Sequence, residues 1–279
     1  MTRTLTIGYS PCPNYTFIFY ALTQGKVKIP GLAFREQLED VETLNRMALD
    51  GKLDFTKISY HALGHLRNQY ALLRSGSALG RGCGPLIVAR PGTALADLDK
   101  GLIAIPGELT TAYLLLRLFD PALTNVSVMT FDRIMEAVSK GEVLAGLIIH
   151  ESRFTYQLYN LVKLLDLGEW WESHSGLPIP LGGILGKRSL GRDVLLQVEE
   201  GIRQSLHYAN TYPDEVLRYC GQYSQEMDNG VMINHINLYV NDFSLDLGQE
   251  GLNAVHRLFA DAESRGIIPR SGKSLLAEG

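Results

Sequence analysis

The sequence predicts an α/β protein of two lobes, one inserted into the other, with a ligand cleft between them. Three observations carry this expectation. Strand and helix signals alternate through the first two thirds of the chain, which implies parallel strands joined by right-handed crossovers. The alternation restarts after a break at Arg90-Pro91-Gly92 and gives way to helical segments after Pro178-Ile179-Pro180-Leu181-Gly182-Gly183. The chain has 279 residues, 46% hydrophobic and 20% charged, enough for two sizeable cores.

Residues 5–9 read as a short buried strand, followed by the turn Ser10-Pro11-Cys12-Pro13-Asn14 and a helix over 16–24. Residues 32–38 form a second strand. Asp40 caps a helix running to Leu49, with Val41, Leu44, Ala48 and Leu49 on one face. Strands follow at 54–59 and 71–75, then a glycine-dense stretch at 76–84 that reads as a hinge, then a strand at 86–89. The second block has strands at 102–105, 126–130, 145–149 and 161–166, with helices at 110–119 and 133–140. Four helical segments at 190–212, 214–223, 228–240 and 247–265 complete the chain and are expected to pack on the first lobe. This is the architecture of the type II periplasmic-binding-protein-like fold. The larger lobe is expected from residues 1–88 and 185–279, and the smaller inserted lobe from 89–184. The cleft between two such lobes is a standard place for a small ligand.

Composition excludes several classes. The formal charge is −4 with no basic stripe, which argues against a nucleic-acid partner. No apolar segment approaches the roughly 20 residues needed to span a bilayer. The N-terminal stretch runs directly into a strand without a signal-type apolar region, so a cytoplasmic location is expected. Cys12, Cys83 and Cys220 are odd in number and widely spaced, which indicates neither a disulfide framework nor a zinc site. No site for a metal, nicotinamide or flavin is visible, and nothing in the chain sets an oligomeric state.

The chemistry is expected at strand ends, because ligands of open α/β sheets bind outside the carboxyl ends of the strands. The apolar run from Val143 stops at His150-Glu151-Ser152-Arg153. That segment delivers a base, an acid, a hydroxyl and a cation to one sheet edge, with Arg153 as an anion contact. The Ser10–Asn14 turn has two readings of equal weight: a structural turn, or an anion site built from Ser10, Asn14 and free N–H groups at the helix start. Lys57, within Thr56-Lys57-Ile58-Ser59, either neutralises a carboxylate or extends its ammonium to solvent. Ser59 is a hydrogen-bond donor candidate. Thr110 and Thr111 open a helix, where they either cap it or bind an anion. Arg81, in the glycine segment, is a further candidate anion contact. Trp170 and Trp171 line the cleft or fill a core. His174, His207, His235 and His256 read as surface or packing residues.

Taken together, the segments 10–14, 38–45, 56–59, 75–85, 110–113 and 146–156 resemble the 1,4-dihydroxy-6-naphthoate synthase family of the futalosine route to menaquinone. The resemblance extends to Val240-Asn241-Asp242-Phe243-Ser244. It implies a cytoplasmic carbon–carbon lyase without cofactor. Its small-molecule anionic substrate would be cyclic dehypoxanthinylfutalosine. It further implies substrate contacts at Thr56, Lys57, Ile58, Ser59, Thr110 and Thr111, and a catalytic base at His150. Two other functions fit the same fold: a non-catalytic anion-binding protein and a chorismate dehydratase. The His-Glu-Ser-Arg-Phe segment and the Ser-Pro-Cys-Pro-Asn turn favour the naphthoate synthase. One position departs from the family pattern, which reads Ser-Pro-Cys-Pro-Asn-Asp-Thr-Phe: here Tyr15 stands in place of the Asp.

Overall fold

The computed structural model describes residues 2–223 and 229–277. Strand β1 (Arg3–Tyr9) leads into α1 (Pro13–Thr23). Cys12 is the N-cap and Pro13 takes the first helical position, where its missing N–H leaves no acceptor unpaired. The helix therefore starts earlier than the expected residue 16. Next come β2 (Leu32–Leu38) and α2 (Val41–Leu49), with the Asp40 carboxylate accepting the N–H groups of Glu42 and Thr43. The chain continues through β3 (Phe55–Ser59), α3 (Tyr60–Leu66), β4 (Tyr70–Leu72), β5 (Ala78–Gly80) and β6 (Leu86–Ala89). The second block contains β7 (Ile103–Ile105), α4 (Thr111–Phe119), β8 (Val126–Val128), α5 (Phe131–Lys140), β9 (Ala145–Ile148), α6 (Ser152–Thr155), β10 (Val162–Asp166) and α7 (Leu167–Ser175). Strand β11 (Ile179–Lys187) precedes α8 (Arg192–Thr211), α9 (Pro213–Cys220), α10 (Asn229–Tyr239), α11 (Asp242–Leu245) and α12 (Gly248–Ser264). Asp228, the expected start of the third C-terminal helix, lies outside the described residues.

Two sheets form. The first has the order β2-β1-β3-β11-β4, with β5 also paired to β11; the second has the order β10-β6-β9-β7-β8. Both are mixed, not parallel as the alternation implied. The pairs β1–β2, β1–β3, β7–β8 and β7–β9 are parallel, whereas β11 and β6 run antiparallel to their neighbours. The antiparallel strands flank the two points where the chain passes between sheets. Those passages fall between β5 and β6 and between β10 and β11, so residues 86–88 pair in the second sheet and 179–184 in the first. The segment read as a break at 178–183 is mostly strand. It tolerates Pro180 because the β5–β11 register shifts between Pro180 and Gly182, and a bulge releases the ladder from needing an N–H there. The glycine stretch read as a hinge contains β5. Gly84 permits close packing: a Cβ there would stand 2.3 Å from the backbone of Gly168.

Alternate residues of β6 enter different cores. Ile87 and Ala89 pack with Leu114, Leu115 and Leu118 of α4, whereas Leu86 and Val88 pack with Ile134 and Val138 of α5. In the first sheet Leu5 and Ile7 pack with Ile18 of α1 and with Ile202 and Leu206 of α8, so the C-terminal helices do return to the first lobe. Trp171 is fully buried and donates its indole N–H to Pro178 O at 3.1 Å, which settles it as a core residue. Among the described residues no helix is long and apolar enough to cross a membrane.

This topology positions the site. Parallel β1 and β3 end at Tyr9 and Ser59 on one edge, where β11 begins alongside at Gly182. Parallel β7 and β9 end at Ile105 and Ile148 on one edge of the second sheet, beside the first residue of β6. Residues from both edges line one cavity.

Candidate functional site

The period-2 geometry of a strand divides the Thr56–Ser59 segment. Lys57 and Ser59 line the cavity. Thr56 and Ile58 do not: Thr56 Oγ1 donates to Lys57 O at 2.9 Å, and Ile58 belongs to the core. Ser59 is held by Asn45, whose Nδ2 donates to Ser59 Oγ at 3.2 Å and whose Oδ1 accepts the Ser59 N–H at 2.9 Å. The Ser59 hydroxyl proton remains available for a ligand. Lys57 is only 5% exposed, so its ammonium does not reach out to solvent. Its Nζ lies 5.0 Å from the centre of the Tyr15 ring, and burial pushes its pKa down to about 8. The Tyr15 hydroxyl is buried without a hydrogen-bond partner among the described residues.

Across the cavity stands the N-terminus of α4. Thr110 caps it, accepting the Tyr113 N–H at 3.3 Å and donating to Gly107 O at 2.7 Å. The Thr111 hydroxyl accepts the Tyr60 N–H at 2.9 Å and donates to Leu181 O at 2.6 Å, tying α3 and β11 to α4. Both hydroxyls are thus committed within the protein. The first N–H groups of a helix have no intrahelical acceptor, and Thr111 and Ala112, which carry them here, border the cavity. Together with Lys57 they form a pocket suited to a carboxylate.

The expected second anion-binding helix start is not built. The N–H groups of Tyr15 and Thr16 donate to Cys12 O at 3.0 and 3.1 Å, because α1 begins at Pro13 and consumes them. Asn14 does face the cavity, but as a helical residue rather than a cap, with Oδ1 accepting from His235 Nε2 at 3.1 Å.

His150 follows β9 with φ of +57°, one of two non-glycine residues in the left-handed region among those described. Cys12 Sγ lies 3.4 Å from its Nδ1, the Phe131 ring packs at 5.0 Å, and the His235 ring stacks at 6.2 Å. Burial, then the Lys57 and His235 charges, hold its pKa well below 6.5. The imidazole is therefore neutral at pH 7. Burial also pushes the Cys12 thiol up to about 12, which keeps it protonated.

His150 and Val41 border a second cavity of about 230 Å³, lined also by Ser10, Cys12, Glu39, Asp40, Phe131 and Glu151. Ser10 thus faces this second chamber. Arg153 lines neither cavity. Its guanidinium donates to Gly84 O at 2.5 Å and to Asp166 Oδ2 at 2.6 Å, bracing the turn into the second sheet. Arg81 is half-exposed and pairs with Glu250 at 2.9 Å, away from both chambers.

His235 and Tyr239 line the first cavity from α10; for His235 a surface or packing role was expected. His235 is fully buried and burial lowers its pKa to about 3. Its Nδ1 is 3.8 Å from Glu151 Oε2. The legible signal was spacing: Met232, His235, Ile236 and Tyr239 fall at i, i+3, i+4 and i+7, one buried helix face.

A family model described as "Menaquinone biosynthesis" matches residues 5–264. The chain belongs to this family. A protein of Thermus thermophilus named 1,4-dihydroxy-6-naphtoate synthase is 52% identical over 271 residues, covering 97% of this chain and 98% of that protein. A Streptomyces coelicolor protein of the same name is 46% identical, with 98% of each covered. Among solved structures, an Archaeoglobus fulgidus protein superposes with a TM-score of 0.88 at 37% identity, over 95% of this chain and 98% of that one. The alkanesulfonate-binding protein of Xanthomonas axonopodis superposes with a TM-score of 0.73 at 15% identity, covering 99% of this chain and 98% of that one, a likeness of fold. The family member described here is a periplasmic-binding-protein-like chain that belongs with enzymes of menaquinone biosynthesis.

Proposed function

We infer that the chain is a carbon–carbon lyase that converts cyclic dehypoxanthinylfutalosine to 1,4-dihydroxy-6-naphthoate. The observation that carries this reading is the placement of a neutral His150 at the junction of two chambers, opposite a carboxylate pocket. The substrate is itself two-part, a carboxylated aromatic system joined to a sugar-derived part. In this reading the carboxylate meets Lys57 and the N–H groups of Thr111 and Ala112, and Ser59 donates a hydrogen bond nearby. The sugar-derived part occupies the second chamber beside Ser10, Glu39 and Asp40.

His150 then acts as general base. It takes a proton from the substrate, the electron pair left behind expels the sugar-derived fragment, and aromatisation of the naphthalene ring drives the cleavage. The low pKa keeps the imidazole unprotonated through neutral pH. None of this chemistry needs a redox cofactor, since the proton and the electron pair account for every bond changed.

The test is product formation by the purified protein. Incubation with cyclic dehypoxanthinylfutalosine should yield 1,4-dihydroxy-6-naphthoate on a chromatogram, and chorismate should be left untouched. Folded protein that yields no product, or that dehydrates chorismate, would overturn the reading.

A further inference from the structure

We propose that Cys12, His150 and Glu151 form a binding site for a thiophilic divalent cation of the Zn²⁺ type, and that its occupation silences the base. The inhibitory consequence rests on the reading of His150 above; the binding does not. Each residue offers one donor atom, and the three donors lie within 4.8 Å of one another. Cys12 Sγ and His150 Nδ1 stand 3.4 Å apart. Donors on a tetrahedral zinc ion, with bonds of about 2.0–2.3 Å, stand roughly 3.3–3.8 Å apart, so side-chain shifts of about 1 Å complete the site. A thiolate, an imidazole and a carboxylate make a borderline-soft set that suits zinc over magnesium or calcium. Three protein donors leave a fourth position for water.

The surroundings point the same way. All three residues line the second chamber, whose wall also carries the carboxylates of Glu39 and Asp40, a favourable approach for a cation. Ser10, buried beside Cys12, lies on the same wall. Cys12 and His150 are 138 positions apart, which explains why no spacing motif announces the site. Binding is balanced as an exchange: the ion takes the neutral imidazole, the carboxylate and the thiolate, and the thiol proton leaves to solvent. The ligated ring nitrogen then has no lone pair for a substrate proton.

Zn²⁺ alone, titrated calorimetrically into metal-free full-length protein, should bind one equivalent with release of a proton, read from the buffer dependence of the heat. Co²⁺ in its place should give a thiolate-to-metal absorption band. Cys12→Ser and His150→Ala should each weaken Zn²⁺ affinity about 100-fold or more, since losing even a supporting residue typically costs 10–100-fold. Cys220→Ser, whose thiol faces Pro13 O and lines neither chamber, should leave it unchanged. Circular dichroism checks that each variant is folded, and Glu151→Gln is a third probe if one of them is not. Absence of a thiolate band, or equal affinity in wild type and the folded ligand variants, overturns the proposal. Turnover by metal-free protein is measured separately, so a failed lyase reading and a failed metal site give different results.

Discussion

Lys57→Met should make the protein more stable while weakening its hold on an anionic substrate. The native ammonium is 5% exposed, and its pKa has fallen from 10.5 to about 8 because burial disfavours the charged form. Keeping it charged at pH 7 therefore costs the fold about 3 kcal/mol, at 1.36 kcal/mol per pKa unit. Met fills similar volume without charge but gives up the cation–π contact with Tyr15, worth about 1 kcal/mol. The net expectation is about 2 kcal/mol of added stability, or roughly 4–8 °C in Tm. The sign can be checked by pH. Between about 8 and 10.5 the unfolded chain holds a proton on this lysine that the folded chain has lost, so wild-type stability rises with pH in that window. The variant lacks that rise. Urea unfolding at pH 7 and pH 9.5, on both proteins, reads both effects. A variant less stable than wild type at pH 7, or one with the same gain on going to pH 9.5, would refute the argument.

Thr111→Val should cost about 2–4 kcal/mol, because it leaves the Tyr60 N–H and the Leu181 carbonyl buried without their shared hydroxyl; an unchanged urea midpoint would contradict this. Gly84→Ala should destabilise by about 3 kcal/mol, since its Cβ would meet Gly168 backbone that no rotamer change can move, and a wild-type Tm would show the approach to be looser. Tyr15→Asp should place a carboxylate beside Lys57, raise the lysine pKa and shift the alkaline limb of kcat/KM above pH 8. An unchanged kcat/KM and pH profile would rule out a role for this position.

Much of the first sheet edge was legible because strand periodicity and strand ends are local signals. Lys57 and Ser59 were found that way, and so was His150 at the end of β9 in the second sheet. Thr56 and Ile58 were not separable from them by resemblance, yet the alternation of side chains along β3 divides the four. Arg153 looked like a ligand contact because it follows His150; only the tertiary structure supplies Asp166 and Gly84 O as its partners. Strand β11 was hidden by Pro180, Gly182 and Gly183, which read locally as a break but are absorbed by a register shift against β5 and by pairing with β3 and β4. His235 reaches the cavity from a helix remote in sequence, a placement set by how α10 docks on α1. The Cys12–His150 contact joins the two lobes and has no local signature.

The central claim is that His150 removes the proton that starts cleavage. Single-turnover rates and substrate affinity, measured together for wild type and His150→Gln, test it most directly. The account predicts a rate lowered about 10²–10⁴-fold with affinity changed only a few-fold. It also predicts a wild-type rate that stays level as the pH falls through 6.5, because the folded imidazole protonates well below that value. A variant within tenfold of the wild-type rate, or a wild-type rate that halves near pH 6.5, would contradict it.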